Sequence, residues 1–364
     1  MSTLTERDVR IEELTYPTAA TNDDPHWANF AEMVAIRNEI AKHVFGSSLF
    51  ARSPESALPG YLDPYNPSRA FLLRVDGAAA GRAVLSWTTE EGSTLAFPNV
   101  EVLPAYRGRG YGTMLADRIE ALAAELGRTT LQTWPDHTNA EGERIEPPTG
   151  FGSVSTGDPG VRFLRRRGYS LEQVERISVL DLPVDQTTLE TMRAKAEAAS
   201  TDYRVLSWIG PAPEDRLEDL CWLRNRMSVD IPAGAMEVEE ETWTAERIRN
   251  EEQRAADAGQ SILTVAAEHI PTGKLVGYSV LWVHDDRSRA VDQDATLVVS
   301  EHRGHKLGQL LKVANIEQLA RFSPESPMII TGNAEENRYM LATNEAVGFR
   351  AIVACGAWEK KLSS

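Results

Sequence analysis

The order of elements in this chain runs through once and then repeats. In the first pass, 9–14 reads as a strand and 26–45 as an amphipathic helix carrying Phe30, Val34, Ile40 and Val44 on one side. A hairpin follows over 70–75 and 81–88, turned by Asp76-Gly77, then a strand over 95–103. A helix over 112–126 ends at Gly127, a strand covers 129–133, and a short helix over 161–167 ends at Gly168. In the second pass the strand is 203–208, with helices over 213–227 and 239–258. The hairpin is 261–268 and 275–283 around Pro271-Thr272-Gly273, followed by a strand over 290–299. A helix over 308–322, a strand over 328–331, a helix over 337–347 and a strand over 353–360 close it. A repeat this long means duplicated domains rather than a solenoid. The expected division is 8–183, a linker helix in 184–202, and 203–364, each domain an α/β (α+β) sandwich with a central mixed sheet flanked by helices.

One segment breaks the symmetry. Residues 135–160 are rich in Gly, Pro, Ser, Thr and Glu where the second pass has only a short link. A connection of that length reads either as a lid or as a disordered segment.

Composition narrows the function. The chain has 364 residues, 42% hydrophobic and 25% charged, which suits two soluble cores. No apolar run approaches the roughly 18 residues of a membrane span, and Met1 to Asp8 holds no apolar core for a signal peptide. Two distant cysteines, Cys221 and Cys355, argue against a disulfide framework or a zinc site and suit a reducing, cytoplasmic setting. The net charge of −16 with no basic stretch argues against nucleic acid and is compatible with a cationic substrate. Neither Asp136-His137 nor His284-Asp285-Asp286 has partners at ligand spacing, so no metal is expected. The charged stretch 237–257 reads as a solvated helix face, or as a surface that steers a cation.

The chemistry is carried by a loop that occurs in both passes. In the first, the strand ending at Val102 leads through Pro104 and Tyr106 into Arg107-Gly108-Arg109-Gly110-Tyr111-Gly112 and straight into a helix. In the second, Val298 leads into Arg303-Gly304-His305-Lys306-Leu307-Gly308. Glycines let a backbone approach a pyrophosphate, and successive N–H groups at a helix N-terminus favour an anion. The spacing is neither that of a dinucleotide fingerprint nor that of a P-loop.

These residues resemble the cofactor loop of the GNAT (GCN5-related) N-acetyltransferase family, Arg/Gln-x-x-Gly-x-Gly/Ala. The first copy matches fully; the second carries Lys306 for the middle glycine, and a lysine with helical backbone angles is expected there. The resemblance spans about 10–180 and 203–361 and extends to the tandem arrangement of mycothiol synthase. It implies acetyl-CoA as co-substrate, held by the two loops with Val102, Val298 and Asn337. It implies direct attack of a primary amine on the thioester. The acceptor is expected to be small and, from the acidity of the chain, cationic, and the protein a monomer or homodimer. It places bases 11 and 9 residues before the loop arginine: Asp292 and Asp294 in the second copy, but Ala96 and Pro98 in the first. The two aspartates share one strand face, or simply form a solvated strand start. The family's acid tyrosine is absent: Asn344 and Leu164 stand there. Asn344 is expected to hydrogen-bond the cofactor sulfur, and Tyr339 to be a surface or groove residue. The second copy is the expected catalytic domain. A non-catalytic acyl-CoA-binding protein and a protein N-acetyltransferase are the alternatives.

Overall fold

The computed structural model describes residues 8–230 and 232–362. Residues 1–7, included in the signal-peptide reading, and 363–364, the end of the second repeat, lie outside the described residues. In chain order the elements are β1 (Val9–Leu14), α1 (Trp27–Phe45), α2 (Pro54–Tyr61), β2 (Ser68–Val75), β3 (Ala78–Ser86), β4 (Leu95–Val102), α3 (Tyr111–Glu125), β5 (Thr130–Thr133) and β6 (Asp136–His137). Then come β7 (Arg144–Ile145), β8 (Val154–Ser155), α4 (Pro159–Arg166), β9 (Ser170–Asp181), α5 (Gln186–Glu197), β10 (Tyr203–Ile209), α6 (Leu217–Asp230) and α7 (Ala245–Asp257). The chain finishes with β11 (Gln260–His269), β12 (Lys274–His284), β13 (Val291–Val298), α8 (Leu307–Phe322), β14 (Met328–Ala334), α9 (Arg338–Val347) and β15 (Arg350–Lys361).

Two compact units emerge, and they do not follow the repeat boundaries. The first is Met1–Asp136, Arg162–Ser170 and Ala357–Ser364; the second is His137–Val161 and Leu171–Gly356. Strand pairing is the reason. In the first unit β1 to β5 pair in sequence order, and the outer partner of β5 is Trp358–Lys361, the end of the second repeat's last strand. In the second unit β10, β11, β12, β13 and β14 pair in that order, and the outer partner of β14 is β9, the last strand of the first repeat. Each sheet is therefore completed by a strand that the other repeat encodes. A contiguous division at 184–202 describes the duplication but not the packing.

Alternating residues on these strands bury against the helices. In the first unit Phe71, Ala83, Leu85 and Ala96 meet Leu115, Ile119 and Leu122 of α3. The other sheet side is covered by Phe30, Met33 and Val34 of α1. In the second unit Ala266, Tyr278, Val280 and Leu297 pack with Leu220 and Leu223 of α6 and Ile248 of α7. Leu281, Val291 and Ile329 pack with Val313 and Ile316 of α8.

Two expectations change. The helix over 239–258 begins only at Ala245, because Thr244 takes extended backbone angles and its hydroxyl caps the Arg247 N–H. The segment 135–160 is ordered: β7 and β8 form a small antiparallel ribbon. Its base is closed by Asp158. That carboxylate accepts from Thr138 Oγ1 at 2.6 Å, from the amides of Thr138, Gly160 and Val161, and lies 3.1 Å from His137 Nδ1. No side chain fits at Gly157, where a Cβ would stand 1.7 Å from the Glu141 carbonyl oxygen.

Burial alone would raise the Asp158 pKa, but the hydrogen bonds and the His137 charge outweigh it and hold the carboxyl well below the usual range. A depressed folded pKa gives stability that is present above the unfolded value near ~4 and lost as pH falls toward the folded one. Asp158→Asn is expected to lose about 3 kcal/mol at pH 7. Urea unfolding of both proteins at pH 7 and pH 3 checks this; the gap between them shrinks at the lower pH.

Candidate functional site

The two loops adopt one conformation. In the first unit Arg107 Nε donates to the Val102 carbonyl at 3.0 Å; in the second Arg303 Nε donates to Val298 at the same distance. These arginines brace the strand end to the loop as well as supplying charge. Gly108 and Gly110 have φ of 75° and 84°, and Gly304 has 89°. A Cβ built on any of the three meets nothing within 4 Å, so each loop is open where its glycine side chains would stand. Lys306 does not take helical angles: its φ is 57° and ψ 19°, the left-handed region that Gly110 occupies in the first unit. The backbone is shared, and the second loop holds it against the steric cost of a Cβ. Tyr111 and Leu307 open the two helices and are buried, so they anchor the loops from inside.

Downstream of each loop a ring flanks the helix start. Phe163 lies over Gly112, and the Tyr339 ring lies 3.8 Å from a Cβ built on Gly308, while being 58% exposed. Asn337 caps α9, its side chain accepting from the Met340 N–H at 3.3 Å. His305 belongs to an aromatic group that sequence reasoning missed. Tyr203 packs against His269, His302 and His305 with ring centroids 5.3, 5.7 and 5.4 Å away, and Tyr203 Oη is 3.0 Å from His302 Nδ1. Burial, aided by the charges of His269 and His305, lowers the His302 pKa.

Ahead of each loop two parallel strands part. β4 pairs with β5 at Leu95–Thr130 and Ala96–Leu131, and β13 pairs with β14 at Val291–Ile329 and Asp292–Ile330. Neither ladder continues, although β13 runs on to Val298 and β14 to Ala334. Such a parting leaves main-chain donors and acceptors facing a slot that an extended ligand chain can line. On α9, which packs beside β14, Asn344 is 1% exposed; its Nδ2 donates to Asn333 Oδ1 of β14 at 2.6 Å and its Oδ1 has no protein partner. The first unit places buried Leu164 at the matching position.

Only the second unit carries a kink here. β12 and β13 pair Ser279 with Thr296 and then Leu281 with Gln293, so β13 spends one extra residue in a β-bulge. The β3–β4 ladder runs without a shift from Gly81–Val102 to Ser86–Phe97.

The two aspartates of β13 have different partners. Asp292 Oδ2 is 2.9 Å from His284 Nε2, and His284 Nδ1 faces Gln260 and Arg289 nitrogens, which places the ring proton on the Asp292 side. Asp294, in the bulge, lies 3.8 Å from Arg224 of α6. Arg224 also pairs with Glu251 of α7 at 2.8 Å and stacks over Trp243 and Tyr278. Arg247, 5% exposed, bonds Glu241 and stacks over Trp243. The acidic stretch therefore turns Arg247 and Glu251 inward rather than presenting a wholly solvated face. Burial pushes the Glu251 carboxyl up, Arg224 opposes this and Asp294 adds to it. Tyr278 Oη is buried without a hydrogen-bond partner.

Residues 35–142 match the family model described as Acetyltransferase (GNAT) family. Among solved structures, the tandem GNAT protein from the clavulanic acid biosynthesis pathway aligns with TM-score 0.71 at 22% identity, covering 98% of this chain and 99% of that one. A GCN5-related N-acetyltransferase from Sphaerobacter thermophilus aligns with TM-score 0.63 at 14% identity, covering 97% and 96%. The fold is that of a tandem GNAT protein. No curated protein sequence matches the chain.

In this tandem GNAT fold the family match falls on the first repeat, while the bulge, the strand carboxylates and the buried Arg224–Glu251 pair lie in the second unit. Among the described residues no cluster of three or more His, Cys, Asp or Glu is placed to hold a metal ion, and no helix is long and apolar enough to cross a membrane. Lys306→Gly is expected to relieve the left-handed strain and to stabilise the protein by roughly 1 kcal/mol. Thermal unfolding reads this out; an unchanged or lower midpoint would mean that the lysine side chain offsets the strain by a contact of its own.

Proposed function

We propose that the chain is an acyltransferase that moves an acetyl group from acetyl-CoA to a primary amine, and that the second unit performs the transfer. The observation that carries this reading is the combination, found only there, of an open anion cradle, parted strands and a carboxylate-bearing bulge. Acetyl-CoA supplies the activated acyl group when bound. Val298, Arg303, Gly304, His305, Lys306, Leu307 and Gly308 would hold its phosphates, with Asn337 at the neighbouring helix start. Val102, Arg107, Gly108, Arg109, Gly110, Tyr111 and Gly112 would do so in the first unit. The unpartnered Asn344 Oδ1 supports a polar ligand atom at the slot in the second unit.

The acceptor side favours a cation. Around Trp243 and Tyr278 stand two guanidiniums, Arg224 and Arg247, against three carboxylates, Glu241, Glu251 and Asp294. One negative charge is left over, which an ammonium would neutralise. Asp294 is 45% exposed, lies 3.8 Å from Arg224 and is the base we assign, its carboxylate being accessible to an incoming amine. Asp292, held by His284, fixes the strand end beside it. The first unit has Ala96 and Pro98 at these places and is read as a cofactor-binding or structural partner.

Calorimetric titration of acetyl-CoA into wild type, Gly110→Glu and Gly304→Glu tests the cradles. Two sites are expected, each variant losing one, because both glycines sit at positive φ where a side chain fills the open loop. Should Gly304→Glu bind like wild type, the second cradle is not a site. Asp294→Asn is expected to lower kcat/KM by ~10²–10⁴ with acetyl-CoA affinity kept, and Asp292→Asn by less. Thiol release with a panel of small primary amines measures both; wild-type rates in Asp294→Asn would remove it as the base.

A further inference from the structure

Beneath the β13 bulge, on the side away from Arg224, runs a polar seam that neither the cradle nor the acceptor side uses. Gln293 Nε2 donates to the Val280 carbonyl at 2.7 Å, to the Ala295 carbonyl at 3.1 Å and to Ser279 Oγ at 3.2 Å. Ser279 Oγ and Thr296 Oγ1 are 3.0 Å apart, and Asn315 Nδ2 of α8 donates to the Ser279 carbonyl at 3.0 Å. Gln293 Oε1 in turn accepts from Lys312 Nζ of α8 at 3.4 Å. Lys312 is 2% exposed, and its other contact is the Phe349 ring, 5.4 Å from Nζ. Among the described residues no carboxylate pairs with it. Burial alone brings its pKa down to about 7.

A buried lysine without a counter-charge is costly. The fold does not require it. Counting from the two loop arginines, the first unit has Ala83, Val100, Ala116 and Ile119 where the second has Ser279, Thr296, Lys312 and Asn315. Ala83, Ala116 and Ile119 are buried and Val100 packs against the same core, and there the ladder has no bulge. Polar seam and bulge occur together or not at all. The linkage has a mechanical basis. A bulge strands main-chain groups, and Gln293 takes the Val280 and Ala295 carbonyls. A peptide unit is planar and trans, so fixing the Ala295 carbonyl also fixes the opposed Thr296 N–H.

We propose that Lys312 is a positioning residue for acyl transfer: by holding Gln293 it sets the peptide orientations of the bulge that carries Asp294. The proposal rests on reading the second unit as catalytic, but its first measurement does not.

Amide hydrogen exchange at 294–296 is measured in the full chain for wild type, Lys312→Met and Lys312→Gln, with thermal midpoints alongside. Lys312→Met is expected to keep or raise the midpoint, since a buried charge is removed, yet to speed exchange at these amides at least tenfold. Lys312→Gln keeps an N–H donor and is expected to restore slow exchange. With an amine substrate, Lys312→Met should lower kcat about tenfold at unchanged KM for acetyl-CoA, and Lys312→Gln should recover it. Unchanged exchange in Lys312→Met overturns the proposal, as does equal exchange in both variants. If Lys312→Met does not fold, fast exchange in a folded Lys312→Gln also overturns it. Altered exchange in a protein whose wild type acetylates no amine sustains the positioning role and refutes the catalytic reading instead.

Discussion

Two parallel strands that pair for two rungs and then part determine what the rest of each unit must do. Parting costs every backbone group on the facing edges its partner, which is unfavourable unless water or a ligand replaces it. The surroundings hold the strands apart. At the end of β13, Arg303 ties the strand carbonyl to the loop, and at the end of β4 Arg107 does the same. The partner β14 is held on its other edge by β9 over seven rungs, Met328–Asp181 to Ala334–Glu175, so it does not drift back toward β13. The slot is a consequence of strong pairing elsewhere, and the loop's helix start supplies positive potential at its mouth.

Much of this was legible in the sequence, because it is local. Apolar spacing located α1, terminal glycines helped to place the ends of α3 and α9, Asp76-Gly77 located a hairpin, and the arginine–glycine run located two matching loops at strand-to-helix junctions. What was not legible depends on partners remote in the chain. β15 reads as the last strand of its own repeat, while no strand is read over 170–181, where β9 lies; that β15 ends against β5 and β9 against β14 is a matter of which edge each meets, and edge strands carry no address. α2 was missed because Pro59 and Gly60 break its helical pattern, although Ser53 and Pro54 are ordinary helix-start residues. Arg224, Glu251 and His284 gave no sequence signal of burial, since a charged residue is assumed solvated until a partner of opposite sign is placed beside it.

Lys306 shows the limit of motif reasoning more sharply. The letter differs from the family pattern, and helical angles were expected for it; instead the loop imposes the left-handed geometry of a glycine. The three-dimensional requirement survived the change of residue, so the mismatch in sequence is not a mismatch in backbone. By contrast, Asn344 for tyrosine changes the chemistry itself, because an amide cannot act as a proton donor to a thiolate in the way a phenol can.

The duplication makes the two units controls for each other. Both keep the cradle, the arginine brace and the parted strands, so those features belong to whatever the units have in common. They differ in what lies on either side of the fourth strand of each repeat. The first unit has an apolar helix-facing side and, on the other, a buried Arg82–Glu101 ion pair that Tyr61 joins at 3.0 Å. The second has Lys312, Gln293 and Asn315 on one side and Arg224, Glu251 and Asp294 on the other. Polar groups on both sides of a strand cost stability relative to well-packed apolar ones. Since the same fold is built more cheaply 196 residues earlier in the chain, between loop arginines 107 and 303, packing does not explain the expense in the second unit. The residues concerned converge on one bulge, and that convergence is the physical case for placing the chemistry there.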